Sequence, residues 1–206
     1  MKRWKPASLI LITTLIAGVG YGLSLVRRGF SARETPSLSE KFVATTARRL
    51  AVPTRYRQLR NPLSSSAEDV EAGMEHFSDH CATCHANDGS GDTLFGKGLY
   101  PKPPDMRSEE TQRKSDGELY YTIENGVRLS GMPAFGQEHG AGGDSDTWKL
   151  VLFIRHLPNL NVDELRHMEQ LNPKTEEERE EEQEEEMFLN GGEPPKTTPE
   201  ETHHHH

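Results

Sequence analysis

Only two cysteines occur in the 206 residues, and both fall in one pentapeptide, Cys81-Ala82-Thr83-Cys84-His85. A disulfide-built scaffold is therefore excluded. A structural zinc site needs four ligands, normally from a second Cys or His pair, and there is no further cysteine. A redox C-x-x-C pair belongs beside a βαβ pattern, and no strand pattern of useful length occurs. His76 and His80 stand four apart ahead of the motif, on its own helix, and read as surface residues. What remains is C-x-x-C-H as a covalent haem attachment signal. Two thiols three positions apart on one helical turn reach the two vinyl groups of a single porphyrin. The next residue then presents its imidazole to the iron from the same side.

The rest of the chain has little to build a large core with. Apolar residues make up 33%, which excludes a polytopic membrane protein and a long α/β enzyme. The net charge of −9 hides a gradient, with +10 over residues 1–60, −8 over 61–160 and −11 over 161–206. The basic start suits an anionic lipid surface, or serves only as a solubilising linker. No aromatics interleave with it as nucleic-acid stacking requires.

Four segments follow from these patterns. Residues 1–28 hold an uncharged run, 7–26, flanked by Lys2, Arg3 and Lys5 and by Arg27 and Arg28. Twenty helical residues span the roughly 30 Å hydrocarbon core. The run reads as an uncleaved anchor. The rival is a cleaved signal peptide with Leu9–Ile16 as its apolar stretch, but no small-x-small site follows. Residues 29–65, broken by Pro36, Pro53 and Pro62, read as a tether with a short helix near Glu40–Leu50. Forty residues of coil reach roughly 35 Å. Residues 66–160 read as the packed domain. Its first helix is expected from Ser65 with Glu68, burying Val70, Gly73, Met74 and Phe77. A second starts at Ser115 with Glu118 and buries Leu119, Tyr120, Ile123 and Val127. A third runs from Asp144 or Ser145 to Leu157, stopped by Pro158. Residues 161–206 read as an acidic, largely disordered tail that begins with a short helical stretch, Val162–Leu171. The tail contains nine glutamates between Thr175 and Met187 and ends in His203–His206, a native metal-binding tip or part of a tag.

A sixth iron ligand is sought on the loop between the second and third helices. Met132, in Gly131-Met132-Pro133, lies 47 residues after His85. A methionine flanked by Gly and Pro in a polar loop belongs to no helix stripe, and a soft thioether suits iron. Met106 and His139 are the other candidates. Met74 is better explained as core.

These residues resemble the class I c-type cytochromes, within them the small bacterial mono-haem type, over about 66–160. Gly73-x-x-x-Phe77-x-x-x-Cys81 is similar to the family's first helix, where the glycine lets the last helix cross closely. Trp148, Leu152 and Ile154 resemble that last helix. The resemblance implies an all-α fold of three main helices around one covalently bound haem c. Cys81 and Cys84 match the thioether cysteines, His85 the proximal ligand and Met132 the distal one. A backbone carbonyl at Pro101, Pro103 or Pro104 is implied as the partner of that histidine. Also implied are single-electron transfer rather than catalysis and haem attachment on the outer side of a bacterial inner membrane. That places residues 1–6 inside and everything after 27 in the periplasm. The expected role is a membrane-anchored carrier in a respiratory chain, docking on partners with basic patches. A haem subunit of a larger oxidoreductase is the alternative, and a haem-based sensor or peroxidase-like enzyme a third.

Overall fold

In the computed structural model, residues 6–29, 31–136 and 142–174 are described, with Met187 and Leu189, and among them there is no strand. His139, the glutamate run and the terminal histidines lie outside the described residues.

Helix α1 (Pro6–Arg28) contains the one candidate membrane span among the described residues, Ser8–Arg27, with none of its window buried. At 23 residues it is about 34 Å long. The Thr13 and Thr14 hydroxyls donate back to Leu9 and Ile10 carbonyls at 2.9–3.0 Å, so neither adds an unpaired donor to an apolar surface. After nine residues comes α2 (Leu38–Ala51), closed at its start by a reciprocal Ser37–Glu40 capping box.

The stretch read as tether does not stay free up to residue 65. Past Pro53 the short α3 (Thr54–Arg57) buries Tyr56, and the Tyr56 carbonyl lies so close to Gly117 that a Cβ there would meet it at 1.8 Å. Asn61 donates its side-chain amide to the Trp148 carbonyl at 2.9 Å. Residues 52–63 are thus laid along the domain.

The domain is built on the crossing of α4 (Ala67–His76) with α9 (Ser145–His156). A Cβ on Gly73 would sit 2.2 Å from the Lys149 carbonyl oxygen, so only glycine permits this approach. Around it Phe77, Tyr120, Trp148 and Phe153 are fully buried. Each such side chain contributes roughly 1.5–3 kcal/mol by leaving water. The α4 cap is Ser66, bonded to Asp69, one residue later than the expected Ser65 with Glu68. Helix α8 (Asp116–Asn125) starts on the expected Ser115–Glu118 box and buries Leu119, Tyr120 and Ile123. Val127 is not on it. Gly126, at φ +64°, ends the helix and turns Val127, half-buried, into the loop. Helix α9 has Asp144 as its cap and gives way at Leu157–Asn159 to a 3-10 turn containing Pro158.

Helix α10 (Val162–Leu171) continues the fold beyond residue 160. Met168 is completely buried and His156 meets Glu164 at 2.8 Å. The acidic segment therefore starts from a seated helix.

Candidate cofactor site

The attachment pentapeptide lies where α4 loosens. Phe77–Cys81 forms one wide π-type turn, with Ser78 donating to the Met74 carbonyl at 2.8 Å, and α5 (Ala82–His85) follows at once. Such turns often mark functional positions in helices. Here the turn re-aims the chain so that Cys81, Cys84 and His85 all line one cavity.

The segment after His85 holds it from behind. Ala86 leaves the helix at φ +60°, and Gly89 and Gly91 follow at φ +74°. The Gly91 amide donates to the His85 carbonyl at 2.8 Å, and the Met106 amide to the Gly89 carbonyl at 2.8 Å. Arg107 joins Asp88 at 2.7 Å and Asp105 at 2.9 Å, which fastens this turn to the proline-rich strand of coil below it. Short helices α6 (Leu94–Gly98) and α7 (Glu109–Gln112) flank that coil. Gln112 donates to the carbonyls of Met106 and Ile154, at 2.8 and 2.9 Å, and so ties the coil to α9.

The Met132 loop is stapled to the end of α8. Val127 donates to the Met132 carbonyl at 3.1 Å, Phe135 to Ile123 at 3.1 Å and Gly136 to Glu124 at 3.0 Å. A Cβ at Gly126 would lie 2.6 Å from Pro133 backbone atoms, so this loop closes on glycine as well. Met132 lines the cavity beside Gly131 and Pro133.

The cavity is partly open, its empty space of about 820 Å³ including solvent at the mouth, and it is walled by the core itself, through Phe77, Ile123, Leu150 and Ile154. Burial holds the His85 imidazole down to about 4, so it stays neutral at ordinary pH, as an iron ligand must. Burial, with a smaller contribution from Cys84, pushes the Cys81 thiol up to about 12. The His85 Nδ1 is buried without a hydrogen-bond partner. The carbonyl expected from Pro101, Pro103 or Pro104 is therefore not bonded to it. All three prolines line the cavity, but the Pro103 carbonyl is turned against Gly91, where a Cβ would meet it at 2.9 Å. An apolar chamber with two thiols and an underbonded, neutral imidazole in its wall fits a flat, apolar, metal-centred group.

Cys81, Cys84, His85 and Met132 are thus brought to one chamber, and Met106 with them. Sequence patterns did not reveal that Arg48, from α2, also lines it. The only advance signal was a basic residue on a short amphipathic helix.

An all-helical fold closing over a C-x-x-C-H motif in this way is that of a class I c-type cytochrome domain. The family described as cytochrome C oxidase, cbb3-type, subunit III, has a sequence model that matches residues 68–154 of this chain. No curated protein matches the chain. The domain implies a haem c and haem-based electron transfer, and α1 suits a membrane-anchored protein.

Proposed function

We propose that this protein is a membrane-tethered carrier of single electrons in a respiratory chain, facing the periplasm, with one haem c held by Cys81 and Cys84 and ligated by His85 and Met132. The observation that carries the reading is the convergence of these four side chains on one apolar chamber. The haem would supply the reversible iron couple, and the protein sets its potential and access. Cys81 and Cys84 would hold the haem by thioether bonds, each thiol's S–H adding across a vinyl C=C with no net redox change. Met132 is favoured over Met106 because the Met106 backbone is bonded to Gly89, on the histidine's own side. The Met106 Cβ also lies against Gly89, which Leu157 touches as well. Met132 lines the cavity from a loop whose backbone is bonded to the end of α8 rather than to the turn after His85.

Optical spectra of the oxidised and reduced protein test this reading. The expected result is a covalent haem c with the weak near-infrared band of methionine ligation, lost in Met132→Ala. An unchanged spectrum in that variant moves the ligand elsewhere. The acidic domain is expected to dock on basic partners, so electron-transfer rates should fall as salt rises.

The family name attached to residues 68–154 favours one second reading, a haem subunit inside an oxidase-type complex. Stoichiometric co-purification with other chains from mildly solubilised membranes selects it over the free carrier.

A further inference from the structure

Helix α2 shows the domain its polar side. At 3.6 residues per turn Leu38, Phe42, Val43 and Leu50 share an arc of about 140°. Their exposures are 88%, 72%, 63% and 73%, and no residue of α2 is buried. On the other side of the helix, the Glu40 carboxylate accepts the Tyr100 hydroxyl, and Arg48 lines the cofactor cavity. Rolling the apolar arc onto the domain would break both contacts. An apolar face held outward on a capped helix requires something to cover it.

The chain indicates what that is. Only residues 29–37 separate α1 from α2, so α2 begins within about 35 Å of the end of α1. From Arg27 to Arg60, both included, there are nine basic residues and two acidic ones. Arg49 falls inside the apolar arc, and its long stem lets the guanidinium reach phosphates while the methylenes stay in the apolar layer. We propose that α2 is an interfacial helix that lies in the headgroup layer of an anionic membrane, with its apolar arc at the acyl boundary and Arg49, with Lys41 at the flank, on the lipid phosphates. This rests on the reading of α1 as the membrane anchor. Because Arg48 belongs to both the helix and the cavity wall, the cofactor chamber is then held about one helix diameter, roughly 10–12 Å, from the headgroups. The haem does not roam the tether's length, and a redox partner must meet it at the membrane surface.

The test uses the full haem-loaded chain, purified alone, in nanodiscs containing phosphatidylglycerol. Hydrogen exchange is followed over residues 42–51, and the tilt of the haem by linear dichroism in oriented bilayers. A Phe42→Gln/Leu50→Gln variant keeps helix-forming residues in place. Its helix content is checked by circular dichroism. The expected result is exchange slower in the parent by at least about ten-fold, with a fixed haem tilt that the variant loses. Equal exchange and an unoriented haem, in a chain that has entered the discs, overturn the proposal and assign the arc to a neighbouring protein subunit. A chain that never enters the discs removes α1 as an anchor, and this proposal with it.

Discussion

Helices α2 and α4 are both capped amphipathic helices, yet they put their apolar residues to opposite use. Helix α4 turns Gly73 and Met74 inward, with Phe77 as its C-cap, and crosses α9 at Gly73. Helix α2 has the fuller capping box of the two, with both reciprocal bonds present, and buries nothing. The lesson is that local signals decide whether a helix forms, and a surface within reach decides which side it hides. Helix α4 finds Lys149 and Phe153 at the distance only a glycine allows. Helix α2 finds Tyr100 and the rim of a cavity, which take hold of its polar side.

The comparison breaks most severely if the domain stands without its cofactor. Its cavity walls, Phe77, Ile123, Leu150 and Ile154, are also its core. Cys81→Ser/Cys84→Ser is expected to abolish cooperative folding of the domain, a loss comparable to a whole domain's stability of about 5–15 kcal/mol. A native helical spectrum with a sharp thermal transition in that variant would sink the idea. Next in size, Gly73→Ala on the haem-loaded protein should cost about 1–3 kcal/mol, because α4 and α9 must separate to admit the methyl. Urea unfolding measures it, and an unchanged midpoint would mean the crossing is not tight.

A smaller effect concerns α10. Partial burial raises the Glu164 carboxyl, but the Asn161 amide and His156 outweigh it and hold the group below the usual range. A depressed folded pKa contributes stability above the unfolded value of about 4.3, and loses it as pH falls through the folded one. The stability gap between the parent and Glu164→Gln should therefore be present near neutrality and close on acidification, read by urea midpoints across pH. A gap that widens in acid contradicts this. Smallest of all, Phe42→Gln/Leu50→Gln should leave the unfolding of the domain within about 0.5 kcal/mol, since these side chains touch no core. A larger drop would show α2 to be packed like α4.

How much of this could be read beforehand differs by element. The α8 box was legible because one polar residue with one correctly spaced partner precedes its apolar stripe, whereas the start of α9 was open between Asp144 and Ser145, of which Asp144 is the cap. The α4 cap was ambiguous: Ser64-Ser65-Ser66 offers both Ser65 with Glu68 and Ser66 with Asp69, and the latter is used. The convergence of Cys81, Cys84, His85 and Met132 on one chamber was legible through motif chemistry and a methionine out of any helical pattern. Tyr56, Asn61 and Met168 were not, because single residues in polar stretches carry no period, and their burial depends on Gly117, Trp148 and α10 seating from far along the chain. The place of Arg48 was hidden for the same reason.

The strap from Val52 to Leu63 also fixes how force travels. Any tug transmitted from α1 through the chain meets the Tyr56–Gly117 contact and the Asn61–Trp148 bond before it reaches Ala67. Helices α8 and α9 bear that load as a brace, so a pull from the N-terminal side is shared with the core before it passes along the chain to α4 and the Cys81–His85 turn.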